Sequence, residues 1–532
     1  MSRKRRARRA LATLATLATL ATLATLGTVA AAVGVVSASS GGIEAAAAPD
    51  PASAAEAAYQ RPIPVSSQDR VYTADQTSNT VTVIDPSSDK VLGTIALGAQ
   101  RLSNTLNPQY LRDENVHGLA YSPDHRELAV VSIGSDTVDI VDTATNKVLS
   151  HTDVGRSAHE GWFTADSRQF WVADRGRNTV TIVDAVHGGV ITTVDVGDNP
   201  SKVVMSPDGK LAYVNHFTVP EITVIDVASR RVVGRITGLA DSLASDLAIS
   251  PDGTQLWVPH KRAGKLTVVD LVHRRVQAVL GTGPDTNHPN FARSATGTYA
   301  YLTVGGLDET LVYRLTPAGA PPLTATIHDH GLAPHGIWPS GDGTRMYVGM
   351  EKSDQVDVID TATNQVTGTI GVGQEPQALV YVPGAAPGGG APNLATQGLG
   401  QQGHDIPTTL PDGSDGETMN PAQGRHLEAT VRPVAGLDMI DLQARGLAAN
   451  TTFEADSVGA DGGETAVVTF TTDANGNAPQ VLAFAMFDGK SISIKPIGST
   501  DRPASSTGND LAAGMGGKVV TAADLFYCDC CC

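Results

Sequence analysis

Residues 69–383 consist of short segments in which hydrophobic and polar residues alternate, separated by clusters of turn-forming residues. One unit of this pattern contains four such segments, at residues 202–206, 211–215, 222–226 and 231–236. Alternation with a period of two residues predicts β-strands that bury one face. The motif Ser-Pro-Asp-Gly follows the first segment at residues 206–209 and recurs at 250–253. Proline presets φ and glycine accepts positive φ, so this motif predicts tight turns between strands.

The four-strand unit recurs along the chain at nearly constant spacing. The residue that ends the third predicted strand is, in successive units, Asp85, Asp142, Asp184, Asp226, Asp270, Arg314 and Asp360. The gaps in this series are 57, 42, 42, 44, 44 and 46 residues, a spacing that matches the four-stranded blade of a β-propeller. The larger first gap contains an insertion at residues 99–116, which is either a lid over the propeller mouth or a surface insertion.

These repeats resemble the YVTN-type β-propeller family of exported bacterial proteins, whose name-giving strand is similar to Ala-Tyr-Val-Asn at residues 212–215. The resemblance covers residues 69–383 and implies a ring of seven blades. The first unit, residues 71–98, lacks an inner strand, while residues 377–382 follow the seventh unit as an extra strand. We therefore predict that both ends of the repeat region form one blade, which closes the ring and removes an exposed sheet edge.

The composition changes beyond residue 383. Residues 384–425 are rich in Gly, Pro and polar residues, which is typical of a flexible linker. Residues 426–498 contain six further strand-like segments and predict a small β-sandwich domain. We expect residues 499–532 to be a disordered tail. It carries all four cysteines, so no disulfide can stabilise either folded domain. The predicted fold class is all-β, a seven-bladed β-propeller followed by a small β-sandwich domain.

Residues 1–54 predict an export signal. A basic segment at residues 1–9 precedes an uncharged run at residues 10–36, and small-residue cleavage sites follow. The run is also long enough to span a bilayer, so an uncleaved membrane anchor is the alternative. We expect the mature protein to be secreted or to stay in the cell envelope.

The charge balance limits the classes of partner. The formal net charge is −17, and removal of residues 1–54 makes it −21, because six cations and two acids leave. Phosphate backbones repel so acidic a chain, which argues against a nucleic-acid partner. Walker, dinucleotide-binding, Gly-x-Ser-x-Gly and His-Glu-x-x-His motifs are absent, which disfavours nucleotide and serine hydrolase chemistry. A small molecule or a component of the cell envelope remains as the expected partner.

Histidines recur at one position of the repeat. When the inner strands are aligned on the turn that follows them, this position is His117, His159 and His335 in three units. His288 falls one residue earlier in a fourth unit. Three histidines in register exceed what fourteen histidines in 532 residues would place there by chance. Inner strands begin at the mouth of a propeller channel, so we expect these side chains to face that mouth.

Further candidates lie close to this position in the repeat. His216 and His260 follow second strands and are expected at the same mouth. Neutral imidazole is the commonest protein ligand of zinc, copper and iron, so the pattern predicts a transition-metal cofactor of one of these kinds. Glu160 and Asp246, one place after the shared position, are candidates for an additional ligand or a general base.

Two alternatives compete with a metal site: a metal-free ligand site, and histidines that only hydrogen-bond neighbouring loops. We expect side chains at a solvent-filled mouth to contribute little to stability. The predicted function is an exported propeller with a histidine-rich, metal-binding channel mouth. Redox or lyase chemistry is compatible with this layout, because propeller families with similar layouts catalyse reactions of both kinds. The alternative is a non-enzymatic scaffold at the cell surface that recognises a protein or a glycan.

Overall fold

The computed structural model describes residues 63–98, 114–416, 425–434 and 437–497. The predicted export signal, residues 99–113 of the insertion and the cysteine-containing tail lie outside these residues. No helix in the described ranges is both long and apolar enough to cross a membrane.

The described residues of the repeat region form 28 strands and one 3₁₀ turn, Arg175–Arg177. The strands are β1 (Arg70–Asp75), β2 (Thr80–Asp85), β3 (Lys90–Ala96), β4 (Val116–Tyr121), β5 (Glu127–Ser132), β6 (Thr137–Asp142), β7 (Lys147–Asp153), β8 (Ala158–Phe163), β9 (Gln169–Asp174), β10 (Thr179–Asp184), β11 (Val190–Asp195), β12 (Pro200–Met205), β13 (Leu211–His216), β14 (Glu221–Asp226), β15 (Arg231–Thr237), β16 (Ala248–Ile249), β17 (Gln255–His260), β18 (Lys265–Asp270), β19 (Arg275–Gly281), β20 (Thr286–Ser294), β21 (Gly297–Val304), β22 (Glu309–Arg314), β23 (Leu323–His328), β24 (Pro334–Pro339), β25 (Arg345–Met350), β26 (Gln355–Asp360), β27 (Gln365–Gly371) and β28 (Pro376–Val382).

These strands form seven four-stranded antiparallel sheets within the described part of residues 70–382. Sheet 1 has the order β28-β1-β2-β3 and so joins the two ends of the repeat region. Sheets 2 to 7 each use four consecutive strands, from β4–β7 to β24–β27. The prediction that the strand near residues 377–382 completes the first unit is confirmed by its antiparallel pairing with β1.

The predicted turns are present between first and second strands. Gly209 has a φ of 67°, and its N–H donates to the carbonyl of Ser206 at 2.8 Å. The Ser206 hydroxyl donates to Asp208 at 2.7 Å. Local side-chain hydrogen bonds of this kind explain why the motif could be read from the sequence alone.

Seven hydrophobic clusters lie between successive sheets of the repeat region. The cluster between sheets 7 and 1, for example, joins Tyr347 and Val358 of sheet 7 to Val71 and Tyr381 of sheet 1. Strand β28 contacts the inner strand β24 of sheet 7 and the inner strand β4 of sheet 2. The sheets thus follow one another around a common axis, which is the architecture of a β-propeller.

Residues 404–496 form two further four-stranded sheets. Their strands are β29 (His404–Asp405), β30 (Thr408–Thr409), β31 (His426–Val434), β32 (Leu437–Arg445), β33 (Thr452–Val458), β34 (Glu464–Thr471), β35 (Ala478–Ala485) and β36 (Ser491–Pro496). One sheet has the order β29-β31-β32-β35 and the other β30-β36-β33-β34. A single hydrophobic cluster takes Leu427 and Leu442 from the first sheet and Phe453 and Ile492 from the second. We call these two sheets the second body.

The structure differs from the flexible linker expected at residues 384–425. Strands β29 and β30 lie inside this range and belong to the second body. Upstream of them the chain lies against sheet 1. Thr94 and Ala395 exchange two backbone hydrogen bonds, and Arg70 donates to the carbonyls of Gly389 and Gly390. These contacts use the backbone of small residues and therefore leave no hydrophobic alternation in the sequence.

Buried ion pairs attach the second body to sheet 7. Lys352 and Asp354 lie in the turn between β25 and β26. The Lys352 ammonium is 3.2 Å from a carboxylate oxygen of Glu428, and the Arg432 guanidinium is 2.8 Å from Asp354. The last residue of β25 pairs with the first residue of β24, so this attachment lies at the end of sheet 7 where its inner strand begins.

Candidate functional site

Every inner strand of the repeat region carries one extra residue near its start. In sheet 3, Ala158 pairs with Asp174 and Gly161 pairs with Val172. The inner strand therefore advances by three residues where the neighbouring strand advances by two. The other six sheets show the same offset. A β-bulge of this kind changes the direction of side chains. Two successive side chains therefore no longer alternate between the two faces of the sheet.

The bulge defines two equivalent positions in each sheet. The first position, in sheets 2 to 7 and then sheet 1, is His117, His159, Ser201, Ser245, Asn287, His335 and Gln377. The second position, in the same order, is Gly118, Glu160, Lys202, Asp246, His288, Gly336 and Ala378. We call these sets the first tier and the second tier.

The strand register corrects the expected offset of His288. This residue lies one place after the first tier, level with Glu160 and Asp246, and not one place before it. The error has a local cause, because the hairpin of β20 and β21 extends further toward its turn than the other first hairpins do. Aligning the units on that turn therefore displaced the inner strand of sheet 6 relative to the inner strands of the other sheets.

Four of the six predicted histidines come together. The ring centroids of His117 and His159 are 4.4 Å apart, and those of His288 and His335 are 4.6 Å apart. His117 and His335 lie 6.5 Å apart and connect the two pairs. All four are buried, with exposed fractions between 2% and 7%. This contradicts the expectation of side chains at a solvent-filled rim.

Each of the four imidazoles is oriented through its Nδ1 atom. His159 Nδ1 lies 2.9 Å from the carbonyl of Ser201, and His335 Nδ1 lies 2.8 Å from the carbonyl of Gln377. A carbonyl oxygen only accepts, so Nδ1 carries the proton and Nε2 of the neutral ring keeps a lone pair.

Side-chain acceptors orient the remaining two rings in the same way. His117 Nδ1 is 3.0 Å from Gln76 Oε1, and His288 Nδ1 is 3.1 Å from an Asp246 carboxylate oxygen. A protein acceptor at one ring nitrogen is the usual arrangement around a metal-binding histidine, since it leaves the other nitrogen free to coordinate.

In the described part of the chain, several buried polar atoms at this site have no hydrogen-bond partner, and His159 Nε2 and Glu160 Oε1 are two of them. Ligand atoms of His117, His159 and Glu160 lie within 4.8 Å of one another, and so do those of Glu160, Asp246 and His288. Buried polar groups are normally hydrogen-bonded, and exceptions often mark an ion or a ligand. Two imidazoles and one carboxylate are a donor set found in zinc and non-haem iron sites.

Burial keeps these histidines neutral. It lowers the pKa of His288 to about 3 and holds the pKa values of His117, His159 and His335 well below the ordinary histidine value. Coulombic repulsion by nearby cations, among them Arg175 for His117 and His159, acts in the same direction. The imidazoles are therefore in their ligating form at neutral pH.

Lys202 also belongs to this site, although the sequence did not identify it as a candidate. It occupies the second tier of sheet 4, between Glu160 and Asp246, and it is 8% exposed. Its ammonium lies 2.7 Å from Glu160 Oε2 and also pairs with Asp246 Oδ1. The signal was present in the sequence, since Lys202 holds the same repeat position as the two acids.

The structure does not bring His216 and His260 into this group. His216 Nε2 is 2.8 Å from the Thr223 hydroxyl, and its Nδ1 is 3.0 Å from the carbonyl of Asp198. His260 makes the equivalent contacts with Thr267 and the carbonyl of Ser242. Both ring nitrogens of each residue are thus engaged within their own part of the fold. Outside the site, His328 and His330 are exposed.

Comparisons with known proteins bear on the fold. No protein-family model and no curated protein matches the chain. Solved structures with a similar fold include a functionally unknown protein from Desulfotomaculum acetoxidans, with a TM-score of 0.50 and 12% identity over 59% of this chain and 98% of that one. The periplasmic gluconolactonase PpgL of Pseudomonas aeruginosa has a TM-score of 0.48 and 17% identity over 59% of this chain and 99% of that one.

Hydrazine synthase of Kuenenia stuttgartiensis has a TM-score of 0.47 and 19% identity over 51% of this chain and 91% of that one. The fold itself, an all-β propeller of repeated four-stranded sheets, follows from the strand order of this chain. It assigns no activity to this chain.

Proposed function

We propose that this protein is an exported seven-bladed β-propeller of the YVTN type that binds one transition metal, copper, iron or zinc, at the mouth of its central channel. Residues 1–54 act as the export signal, residues 69–383 form the propeller, and the second body is a small β-sandwich. The seven inter-sheet clusters and the pairing of β28 with β1 support the closed ring.

The metal proposal rests on two buried atoms, His159 Nε2 and Glu160 Oε1, which have no hydrogen-bond partner among the described residues. Their two residues also share one possible ligand group with His117. Leaving two such acceptors buried without donors costs free energy. A cation coordinated by both removes this cost, and the neutral ring of His117, whose centroid is 4.4 Å from that of His159, lies close enough to add a nitrogen ligand. The ring of His335, 6.5 Å from that of His117, is a more distant candidate.

Comparison among first-tier residues separates a ligand role from a tethering role. Ser201 and Ser245 donate to carbonyls of the next sheet at 3.3 and 3.4 Å, and Asn287 does so at 3.2 Å. A tether between neighbouring sheets therefore needs no imidazole. The histidines tether through Nδ1 and supply a second nitrogen, which the serines lack.

A metal held in this way would supply Lewis-acid or redox chemistry toward a small molecule at the mouth. The chain's own residues would hold and orient it. Carbonyl acceptors fix the rings of His159 and His335, and Lys202 fixes the carboxylate of Glu160.

Metal uptake by the mature chain tests this proposal. After a chelator wash and repletion with copper, iron or zinc, we expect elemental analysis to find about one metal per chain. Replacing His117, His159 and His335 with serine should abolish uptake, because serine keeps the tether used in sheets 4 and 5 but removes Nε2. The exposed histidines His151 and His187 provide the control when replaced with alanine, and uptake should persist.

The second candidate is a scaffold that recognises a protein or glycan at the cell surface. The hydrogen bonds from His159 and His335 to neighbouring sheets favour it, because they need no metal. In that case uptake stays below about a tenth of an equivalent for every metal. That result would replace the metal proposal with the scaffold.

A further inference from the structure

Four neighbouring sheets, 3 to 6, place charged or ionisable side chains at the second tier: Glu160, Lys202, Asp246 and His288. The exposed fraction of each is between 1% and 8%. Lys202 pairs with both acids, and His288 Nδ1 lies 3.1 Å from Asp246 Oδ2. Two buried carboxylates need a cation nearby, because an unpaired buried charge is strongly unfavourable.

The same residues form a donor set for a metal ion. One carboxylate oxygen of Glu160, one of Asp246 and one ring nitrogen of His288 lie within 4.8 Å of one another. Two carboxylates and an imidazole suit zinc, iron and manganese. The ammonium of Lys202 occupies the space between the two acids and supplies the positive charge that an ion would bring.

The two oxygens of Glu160 have different surroundings. Oε2 accepts from Lys202 at 2.7 Å, whereas Oε1 has no hydrogen-bond partner within the described ranges and lies 3.8 Å from His288 Nε2. Glu160 also belongs to the ligand group of His117 and His159. Lys202 therefore holds one oxygen of Glu160 and leaves the other available to a metal ion.

We propose that Lys202 is a built-in cation that takes the place of a second metal ion, limits the centre to one metal and orients Glu160 toward His117 and His159. The orienting role rests on the proposed function, whereas the exclusion of a second ion does not. Lys202 is thus a positioning residue that sets the metal stoichiometry.

Zinc titration of the full mature chain tests the exclusion. Lys202→Met removes the ammonium at similar side-chain length, and we expect it to bind one zinc equivalent more than the wild type. Lys202→Arg keeps the charge and should match the wild type. The matched control is Lys210→Met, in the same sheet, which removes an exposed ammonium paired with Asp208 and should change nothing.

A second measurement covers loss of folding. Lys202→Met leaves two buried carboxylates unpaired, so the metal-free variant should melt at a lower temperature than the wild type. Zinc should raise its melting temperature by more than it raises that of the wild type. Adding Asp246→Asn should return the zinc stoichiometry to the wild-type value, because a ligand of the second ion is lost.

The possible results separate this proposal from the metal proposal. If the wild type binds no zinc but Lys202→Met binds one equivalent, the built-in cation stands and the histidine site fails. If both bind one equivalent, the histidine site stands and the built-in cation is refuted. Failure of zinc, iron and manganese to restore a folded Lys202→Met chain would refute it as well.

Discussion

At the ends of their second strands, sheets 1, 3, 4 and 5 place an ionisable side chain beside threonine hydroxyls of the third strand: Asp75, Asp174, His216 and His260. Asp75 accepts hydrogen bonds from the hydroxyls of Thr73, Thr80 and Thr82. Burial nevertheless dominates and raises the pKa of Asp75 to about 7. The carboxyl group is therefore protonated in the folded protein at pH values where it is ionised in the unfolded chain.

This difference predicts a pH dependence of stability. The raised pKa contributes stability below about pH 4, and this contribution is lost as the pH rises through about 7. Asp75→Asn keeps a neutral side chain at every pH. We expect its free energy of unfolding, relative to that of the wild type, to increase by about 3 kcal/mol between pH 5 and pH 8, since about two units separate pH 5 from the pKa and one unit corresponds to about 1.4 kcal/mol.

Urea unfolding at both pH values measures this change. The control is Asp226→Asn, which alters a carboxylate whose pKa is lowered by hydrogen bonds from Ser229. The control should not show the increase at pH 8. An Asp75→Asn variant whose advantage is the same at pH 5 and pH 8 would contradict the assignment of the raised pKa.

Among the elements, the bulged inner strands leave no room for a side chain at the two second-tier glycines, Gly118 and Gly336. A Cβ atom on Gly118 would lie 2.4 Å from the carbonyl oxygen of His159. A Cβ atom on Gly336 would lie 2.6 Å from the carbonyl oxygen of Gln377 and 2.8 Å from the backbone nitrogen of Leu379. The second contact joins sheet 7 to β28, the strand that connects the two ends of the repeat region.

Gly336→Ala should therefore weaken the closure between β24 and β28. Backbone atoms cannot move aside as a flexible side chain can, so we expect a loss of about 1–3 kcal/mol in the free energy of unfolding. Chemical denaturation monitored by tryptophan fluorescence measures it. Gly281→Ala, on the outer strand β19 with no atom within 4 Å of the added Cβ, should leave stability nearly unchanged. Equal effects of the two substitutions would show that the contact with β28 is unimportant.

For the whole molecule, the attachment of the second body depends on Arg432. Its guanidinium donates to both carboxylate oxygens of Asp354 and to the carbonyls of Glu351 and Lys352. Arg432 and Asp354 are both essentially inaccessible to solvent. Removing one member of a buried pair leaves the other as an uncompensated charge, which is more costly than the absence of both.

Arg432→Met is expected to lower the free energy of unfolding by about 3–5 kcal/mol. It should also increase cleavage of residues 384–404 in limited proteolysis, because that segment joins the two bodies. Adding Asp354→Asn should recover part of the loss by removing the unpaired charge. The matched control is Lys495→Met, which removes a half-exposed ammonium that pairs with Glu454 and with the buried Asp456. It breaks ion pairs inside the second body but none between the two bodies. If Arg432→Met is as resistant to protease as this control, the ion pair does not hold the bodies together.

The sequence by itself determined the features that depend on neighbours a few residues apart. Strand alternation, the Ser-Pro-Asp-Gly turn at residues 206–209 and the spacing of the units are all set by local backbone preferences and by burial of one strand face. The same pattern recurs in every unit, so the four-stranded sheets and the pairing of β28 with the first unit could be predicted. The six strands expected after residue 426 likewise have counterparts in the second body.

Only the tertiary structure decided which side chains meet. The bulge in each inner strand turns two successive residues out of the alternation, and no local signal marks that extra residue. It brought Lys202 between Glu160 and Asp246 and moved His288 to their tier, although these residues lie 42 to 44 positions apart along the chain. His216 and His260 were excluded because threonines seven residues later bind their rings. Closing the ring makes distant repeat positions into neighbours, and strand register, which sequence alignment alone does not reveal, decides which of them share a site.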